Sequence, residues 1–219
     1  MDGGKVELIG TGRTADIYAL DEHRVLRRYR SGEPADAEAR VMTYVRDSGY
    51  PAPEIFDCSG PDLVMERLHG PTMFAAMTRR PWLISAYGRQ LAALHTRLHG
   101  IAAPGWLGDG QVLHLDLHPL NVLLTPYGPR VIDWCNARGG DPALDVATTF
   151  VTMSVAEVPH LVARAGRGAF VRAFLAASRT DPLPKIAEAC LARIGDPHTT
   201  PAEFTRLRGM MARYDVQPQ

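Results

Sequence analysis

Apolar and polar residues alternate in short runs over the first seventy positions, which is the pattern of half-buried β-strands. Between the third and fourth runs, apolar residues recur at helical spacing, beginning after Pro34 and ending at Gly49. This part of the chain therefore predicts one helix among several strands. The predicted strands cover residues 6–9, 16–20, 24–30, 55–58 and 63–66.

The hydrophobic pattern becomes helical after residue 70. Apolar residues spaced three and four apart over 82–98 predict a helix with a core-facing stripe. A second apolar region, 143–178, is interrupted by Pro159 and by the glycines at 166 and 168, and so predicts two or three helices. We therefore expect an α+β fold in two lobes, a small β-rich lobe over residues 1–68 and a larger helical lobe over 69–219.

Two short apolar strands, predicted over 122–124 and 130–132, flank the turn-forming sequence Pro-Tyr-Gly-Pro. A hairpin brings its outer ends together, so Asn121 is expected beside Asp133. Asp116 lies five residues before Asn121, on the loop that leads into the first strand. Two carboxylates and an amide oxygen would then converge, and such ligands suit Mg²⁺ bound to phosphate oxygens. Taken singly, each residue is more typical of an ordinary turn or cap than of a functional site, and only their combination indicates function.

The charge balance narrows the function classes. The 219 residues contain 24 Lys and Arg against 24 Asp and Glu, and this zero net charge argues against a nucleic-acid-binding surface. No run approaches the ~20 apolar residues that span a bilayer, and the first residues lack a signal-peptide layout. We therefore expect a cytoplasmic protein without a membrane partner. Arg dominates the basic set, because Lys5 and Lys185 are the only lysines.

The cysteines and histidines do not predict a metal centre. The three cysteines are far apart, which gives neither a disulfide framework nor zinc spacing. His95 and His99 are four residues apart on a predicted helix, but the sequence offers no third ligand beside them. Three tryptophans are able to stack on a substrate, but tryptophan is more often a core residue, so we expect core positions for Trp82, Trp106 and Trp134.

The segment around the predicted hairpin resembles a known catalytic core. His114-x-Asp116, then Asn121, then an Ile-Asp pair ending at Asp133 are similar to the aminoglycoside phosphotransferase and choline kinase superfamily. The sequence Asp-Leu-His-Pro-Leu-Asn that ends at Asn121 also fits the usual form of that family's catalytic loop. The resemblance extends over residues 5–150 and implies a bilobal protein-kinase-like fold.

The resemblance implies two cofactors, ATP and Mg²⁺, and a role for each of these residues. Asp116 would accept or orient the proton of a substrate hydroxyl. Asn121 and Asp133 would hold Mg²⁺ on the ATP phosphates. His114 is expected to support the loop through a hydrogen bond rather than to act in the chemistry.

The first lobe should then supply the nucleotide contacts. Gly10 and Gly12 resemble the glycine-rich loop that covers phosphates, with alanine in place of the third glycine. The backbone between Glu66 and Leu68 resembles the hinge that meets adenine. The alternatives are two ordinary turn glycines and a buried edge strand.

The family's phosphate-binding lysine has no counterpart in this chain, which has no lysine between Lys5 and Lys185. Alternation along the strand points to Arg27 for this role, with Arg28 as the alternative. Glu38, on the following helix, resembles the carboxylate that pairs with this cation. A solvated strand arginine and a solvated helix face remain the alternatives.

After Asp133 the chain reaches Gly-Asp-Pro-Ala-Leu-Asp at 140–145, which resembles the family element that braces the catalytic loop. Asp145 is expected to cap backbone amides there, and Asp141 to cap the start of a helix. The short distance from Asp133 to Asp145 leaves no space for the activation segment of a regulated protein kinase, so a protein substrate is not expected.

The implied partner is a small molecule with a hydroxyl group. From residue 146 onward the chain has six acidic and nine basic residues, which disfavours a polycation such as an aminoglycoside. The alternative function is a non-catalytic module that binds a nucleotide or a partner on the same fold. The acceptor, the choice between ATP and GTP, and the oligomeric state stay open.

Overall fold

The structure is a computed structural model that describes residues 7–12, 14–156 and 161–214, with only the backbone for 161–165. Val6 and Pro159, which the sequence analysis used, lie outside the described residues. The strands are β1 (Glu7–Thr11), β2 (Ala15–Ala19), β3 (Arg24–Tyr29), β4 (Ile55–Ser59), β5 (Asp62–Glu66), β6 (Gln111–Leu113), β7 (Val122–Thr125), β8 (Gly128–Val131) and β9 (Arg138–Gly140). The helices are α1 (Asp36–Asp47), α2 (Met73–Arg79), α3 (Ile84–Leu98), α4 (Pro142–Val155), α5 (Leu161–Ala177), α6 (Ile186–Gly195) and α7 (Pro201–Arg213).

The chain folds into two compact units. The sheet unit comprises the residues up to Thr72 together with Val122–Ala137, and the helical unit comprises Met73–Asn121 together with the residues from Arg138 onward. This division differs from the predicted lobes over 1–68 and 69–219, because the chain returns to the sheet unit for one hairpin. The predicted lobe bounds stay a prediction.

The sheet unit contains five antiparallel strands in the order β1-β2-β3-β5-β4. The five strands expected from the alternation are therefore confirmed. β1 continues past Gly10, where the predicted strand ended, because Gly10 pairs with Ile17 and Thr11 pairs with Asp16.

Burial alternates along β3 as its sequence predicts. Val25 and Arg27 are buried, whereas Arg24 and Arg28 are exposed. α1 packs against β4, and its buried face includes Glu38 among otherwise apolar side chains. The interior of the sheet unit therefore contains one strand cation and one helix carboxylate.

The predicted hairpin forms from β7 and β8, with Val122 paired to Val131. The N–H of Leu124 donates to the Pro71 carbonyl at 2.9 Å. Gly70 passes so close to β7 that a Cβ atom on it would overlap the carbonyl oxygen of Leu124. These backbone contacts explain why the hairpin folds with the sheet unit.

The helical unit contains α2–α7 and the two-stranded β6–β9 ladder. Among the described residues, the apolar region 143–178 forms α4 and α5, which agrees with the prediction of two or three helices. The break predicted at Gly166 and Gly168 is wrong, because α5 continues through both glycines. α3 and α5 approach closely at Gly88, where a Cβ atom would lie 2.6 Å from the Phe170 carbonyl oxygen. The main apolar cluster joins β6, α4, α6 and α7 through side chains such as Phe150 and Leu207. The predicted α+β class is confirmed.

The tryptophans divide between core and surface. Trp134 is 1 % exposed, whereas Trp82 is 76 % and Trp106 39 % exposed, so the core prediction is wrong for the latter two. Trp82 lies in the 3₁₀ turn Pro81–Leu83 that precedes α3, where it contributes little to the packing. None of the helices among the described residues has both the length and the apolar character that a bilayer crossing requires.

Candidate active site

The loop after β6 holds the predicted catalytic aspartate and has strained backbone; we call residues 114–121 the Asp116 loop. Leu115 has φ 61°, a left-handed value that residues with a Cβ atom rarely adopt. Its N–H donates to Asp145 Oδ1 at 2.7 Å, and the N–H of His114 donates to Asp145 Oδ2 at 3.2 Å. Asp145 is completely buried, so it holds this backbone from the interior. The predicted capping of loop amides by Asp145 is confirmed.

The carboxylate of Asp116 lies between two side chains of its own loop. Asn121 Nδ2 donates to Asp116 Oδ2 at 3.0 Å and to the Asp116 carbonyl at 2.9 Å. His118 Nε2 lies 3.3 Å from Asp116 Oδ1. The N–H of Asp116 donates to His114 Nδ1 at 3.3 Å, which confirms the supporting hydrogen bond predicted for His114. The fold thus brings Asp116 and Asn121 together, and their chemical roles stay predictions.

Asp145 also meets two histidines of α3. His99 Nε2 lies 2.9 Å from Asp145 Oδ2, and His95 Nδ1 lies 3.5 Å from the same oxygen. Burial alone would raise the pKa of Asp145, but the histidines outweigh it and lower that pKa well below its usual range. The fold therefore supplies a third group beside His95 and His99 that local sequence does not offer, because Asp145 follows His99 by 46 residues.

Two further polar side chains, Asp141 at the start of α4 and Thr149 within it, make contacts in this unit. Asp141 caps the helix, as predicted, by accepting from the Ala143 N–H at 2.9 Å. Thr149 Oγ1 donates to the Leu117 carbonyl at 2.8 Å and lies 3.1 Å from His95 Nε2. Thr149 was not predicted from the sequence, although it follows Asp145 by four residues and so shares its helix face.

In the sheet unit, Arg27 joins two carboxylates. Its Nη1 lies 3.2 Å from Glu38 Oε1, and its Nη2 lies 2.6 Å from Asp133 Oδ1. Burial by itself lowers the pKa of Arg27, but the attraction of Glu38 and Asp133 outweighs it and raises that pKa above its usual value. The pairing expected between Arg27 and Glu38 is present, and the guanidinium keeps its charge at every accessible pH.

Glu38 holds two more groups of the sheet unit. Its Oε1 accepts from the Trp134 N–H at 2.9 Å, and its Oε2 accepts from the Tyr29 hydroxyl. Burial and then Glu38 raise the pKa of Tyr29 above its usual value, so the hydroxyl remains a donor. Asp133, just before Trp134, has φ 68°. The contacts of Glu38 with Tyr29 and the Trp134 amide were not predicted, although alternation places Tyr29 on the face of Arg27.

Arg28, the alternative phosphate-binding residue, lies on the opposite face of β3. Its Nε and Nη2 donate to the Asp62 carboxylate at 2.6 and 2.5 Å. Both side chains of this pair are partly exposed to solvent. Among the described contacts, Arg27 and not Arg28 meets Glu38, which is the arrangement that the alternation predicts.

The other predicted nucleotide contacts lie at strand ends of the same unit. Gly10 is within β1, and Gly12 opens the turn into β2, where its N–H donates to the Ala15 carbonyl at 2.8 Å. Glu66 ends β5, and Leu68 follows it by two residues. Contacts of these four residues with phosphate or adenine stay predictions.

The donor set predicted for a metal fits Mg²⁺, because Asn121 and Asp133 offer only oxygen ligands. Both described hydrogen bonds of the Asn121 side chain use its amide nitrogen, which directs the amide oxygen away from Asp116. Arg27 meets Asp133 through Oδ1, and a carboxylate accepts at both of its oxygens. Asn121 belongs to the helical unit and Asp133 to the sheet unit, so their predicted meeting stays a prediction.

Comparison with protein families identifies one match. The profile described as the phosphotransferase enzyme family matches residues 5–107 and 96–179, which together form most of the chain. No curated protein sequence matches the chain significantly. The profile match includes residues of both units, so it supports the family resemblance that the Asp116 loop first indicated.

Solved structures share the fold at low sequence identity. The aminoglycoside phosphotransferase APH(4)-Ia has a TM-score of 0.68 and 16% identity, covering 97% of this chain and 92% of that one. The streptomycin–ATP–APH(2″)-IIa ternary complex has a TM-score of 0.65 and 12% identity, covering 97% and 94%. An ethanolamine kinase of Plasmodium vivax has a TM-score of 0.66 and 12% identity, covering 96% and 82%. These likenesses confirm the kinase-like fold, and the profile match shows that this chain belongs to the phosphotransferase enzyme family.

Proposed function

We propose that this protein transfers the γ-phosphoryl group of ATP, in the presence of Mg²⁺, to a hydroxyl group of a small molecule. Asp116 accepts or orients the proton of that hydroxyl. Asn121 and Asp133 hold Mg²⁺, while Arg27, fixed by Glu38, contacts the phosphates. The remaining nucleotide contacts are assigned to Gly10, Gly12, Glu66 and Leu68.

The observation that carries this proposal is the arrangement around Asp116. A general base needs a fixed position and an accessible carboxylate within hydrogen-bond reach of the proton that it takes. The Asp116 carboxylate is partly exposed, and Asn121 and His118 contact its two oxygens from within the loop. The backbone just before it is held by Asp145. This combination of exposure and fixed orientation suits a base better than a simple turn residue.

The rest of the proposed reaction does not require the protein to form a covalent intermediate. In phosphoryl transfer, most of the catalytic effect comes from positioning and from neutralising charge on the phosphate oxygens. Mg²⁺, when bound, supplies part of that neutralisation. Arg27 supplies a permanent positive charge whose orientation is set by Glu38. The basic excess after residue 146 favours an acceptor other than a polycation.

The test begins with a screen for ADP formation over sugars, amino alcohols, nucleosides and antibiotics. With an acceptor in hand, Asp116→Asn is expected to lower kcat by about 10²- to 10⁴-fold and to leave the KM for ATP within about twofold, because it removes the base and not the nucleotide site. Asp109→Asn makes the same change at an exposed aspartate of the same unit and serves as the control. An unchanged kcat in Asp116→Asn contradicts the assigned role.

A non-catalytic nucleotide-binding module is the second candidate. It is favoured by the contact between Arg27 and Asp133, which engages two predicted cofactor-binding residues with each other. Calorimetry of ATP binding with and without Mg²⁺ separates the two candidates. Binding that requires Mg²⁺, together with ADP formation, supports the enzyme. Binding that is indifferent to Mg²⁺, without turnover of any acceptor, supports the module.

A further inference from the structure

Arg27 and Asp133, which the proposed function assigns to different ligands, contact each other in the sheet unit. Arg27 Nη2 lies 2.6 Å from Asp133 Oδ1, and the thiol of Cys135 donates to the same oxygen at 3.4 Å. Arg27 is buried, whereas 34 % of the Asp133 side chain is exposed. One of the two oxygens through which Asp133 would bind a metal ion therefore already faces a positive charge.

Glu38 fixes both members of this contact. Its Oε1 lies 3.2 Å from Arg27 Nη1 and accepts at 2.9 Å from the Trp134 N–H, which directly follows Asp133. The two terminal nitrogens of the guanidinium thus serve two carboxylates, Nη1 the buried one and Nη2 the partly exposed one. The contact with Asp133 is the more accessible of the two, so it is the one that a ligand from solution is able to replace.

The charge of Arg27 opposes the binding of a metal ion to Asp133. A guanidinium does not lose its proton in proteins, so this charge is permanent. A divalent cation at the same carboxylate would lie beside it, and like charges at such short range repel. Mg²⁺ also gives up its waters reluctantly. Asp133 should therefore bind a metal ion weakly while Arg27 holds it.

The phosphates of a metal–nucleotide complex change this balance. Arg27 Nε is buried and has no hydrogen-bond partner among the described residues, so the two carboxylates do not satisfy all the donors of the guanidinium. A guanidinium suits phosphate oxygens, and their negative charge offsets that of a second cation nearby. A phosphate group is therefore able to replace Asp133 at Arg27 and to leave the carboxylate to the metal ion.

We propose that Arg27 couples metal binding to nucleotide binding, because it occupies Asp133 in the free protein and gives up this contact only to a phosphate group. A divalent cation then binds strongly only as part of a metal–nucleotide complex. This inference rests on the proposed function, since it takes Asp133 as the metal ligand. It adds a regulation of that site, in which the cation of β3 excludes the metal ion until the nucleotide arrives.

A permanent structural ion pair is the competing explanation of the contact. Arg28 makes such a pair on the same strand, since its Nε and Nη2 donate to both oxygens of Asp62 at 2.6 and 2.5 Å. The described contact of Arg27 with Asp133 joins one nitrogen to one oxygen. A single contact is easier to exchange than a bidentate one, so the geometry favours a replaceable contact over a permanent pair.

The first experiment measures Mn²⁺ binding without nucleotide, from the electron paramagnetic resonance signal of the free ion. We expect Arg27→Met to bind Mn²⁺ at least about tenfold more tightly than the wild type, because the Asp133 carboxylate is then left to the cation. Arg28→Met removes the same charge from the neighbouring position and is the matched control, with an affinity within about twofold of the wild type. The gain should disappear in Arg27→Met/Asp133→Asn.

The proposal is overturned if Arg27→Met binds Mn²⁺ no more tightly than the wild type, if Arg28→Met shows an equal gain, or if the gain persists in Arg27→Met/Asp133→Asn. Near-UV circular dichroism checks that each variant is folded. If Arg27→Met does not fold because Glu38 has lost its cation, Arg27→Met/Glu38→Gln takes its place, since it removes both buried charges. The same outcomes then decide.

The second experiment uses calorimetry with AMP-PNP, a non-hydrolysable ATP analogue, in the presence of saturating Mn²⁺. We expect Arg27→Met to bind this complex at least about tenfold more weakly than the wild type, because the phosphates lose their cationic partner. The proposal thus requires opposite changes, a gain for Mn²⁺ alone and a loss for the complex, whereas a merely structural role would weaken both. Unchanged affinity of Arg27→Met for the complex overturns the proposal.

The wild type provides a test that depends on no variant. It should bind the Mn²⁺ complex of AMP-PNP at least about a hundredfold more tightly than it binds Mn²⁺ alone, and equal affinities overturn the proposal. Absence of both binding of the complex and ADP formation in the wild type contradicts the proposed function instead. The comparison of Arg27→Met with the wild type for Mn²⁺ alone then still decides whether Arg27 excludes metal ions from Asp133.

Discussion

Two buried carboxylates, Glu38 in the sheet unit and Asp145 in the helical unit, do similar work with different partners. Each accepts a hydrogen bond from backbone at a left-handed residue: Asp145 from the N–H of Leu115, and Glu38 from the N–H that follows Asp133. Leu115 and Asp133 are the non-glycine residues with positive φ among the described positions. In both units, a buried carboxylate thus holds strained backbone next to a predicted functional aspartate.

The partners of the two carboxylates differ in chemical type. Glu38 is paired with Arg27, whose charge is permanent, and is further bonded by the Tyr29 hydroxyl. Asp145 contacts His95 and His99, and these contacts outweigh burial and lower its pKa well below the usual range. The comparison indicates that a guanidinium supports the carboxylate of the sheet unit, whereas imidazole rings support that of the helical unit.

The largest expected effect comes from removing the more deeply buried carboxylate. Asp145→Asn removes the buried carboxylate that the two histidines of α3 contact and gives the loop N–H groups a poorer acceptor, so we expect the free energy of unfolding to fall by about 3–5 kcal/mol. Urea unfolding measures this loss. Asp141→Ala, which removes the cap of the same helix, is the control and is expected to cost about 1 kcal/mol. If Asp145→Asn loses no more unfolding free energy than Asp141→Ala, then Asp145 does not stabilise the fold in the way that the comparison with Glu38 requires.

Glu38→Gln tests the support in the sheet unit and is expected to have a smaller effect. Arg27 keeps its contact with Asp133 in this variant, so the guanidinium remains paired and the loss should be about 2–3 kcal/mol. Asp62→Asn breaks the solvent-exposed pair with Arg28 and should leave the urea midpoint unchanged. If Glu38→Gln and Asp62→Asn have the same urea midpoint, the buried pair of Arg27 and Glu38 stabilises the fold no more than the exposed pair does.

The third prediction concerns acid. The folded-state pKa of Asp145 is depressed, so its stabilisation is complete above its ordinary pKa of about 4 and is lost as pH falls through the lower folded value. The difference in unfolding free energy between wild type and Asp145→Asn should therefore stay constant from pH 7 to pH 5 and shrink below about pH 4. Urea titrations across this range measure it, and a difference that grows on acidification contradicts the assignment.

The smallest expected effect concerns Cys135 and tests whether the negative charge of Glu38 acts on its thiol. Burial, followed by the negative charges of Asp133 and Glu38, raises the pKa of Cys135 to about 12, and its thiol donates to Asp133 Oδ1 at 3.4 Å. Cys135 should therefore react with iodoacetamide at pH 8 at least about tenfold more slowly than a simple thiol. Glu38→Gln should accelerate the reaction, as mass spectrometry of the Cys135 peptide will measure. An equal rate in both proteins would show that Glu38 exerts no field on this thiol.

Periodic features were predictable from the sequence because they depend on local spacing. Alternation in β3 selected Arg27 over Arg28, and the turn residues at 126–129 located the hairpin. The capping role of Asp145 followed from its family motif. The resemblance also suggested the pairing of Arg27 with Glu38, which no local pattern determines.

The contacts that join distant positions were not predictable. His95 and Thr149 are 54 residues apart, and nothing in either helix indicates that the other faces it. The exposure of Trp82 was also missed, because composition gives a tendency for tryptophan to be buried but no location. The assignment of residues 122–137 to the sheet unit depends on the fit of Gly70 against Leu124, which appears only in three dimensions.

The arginine at position 27 has a practical consequence for finding ligands of this protein. Reagents that map nucleotide pockets by acylating the conserved lysine of kinases depend on a nucleophilic amine, and a guanidinium held at high pKa by two carboxylates does not offer one. The chain has no lysine between Lys5 and Lys185 to take its place. Labels of this kind would therefore not report nucleotide binding at position 27, whereas displacement of a fluorescent nucleotide would test for such binding without any covalent step.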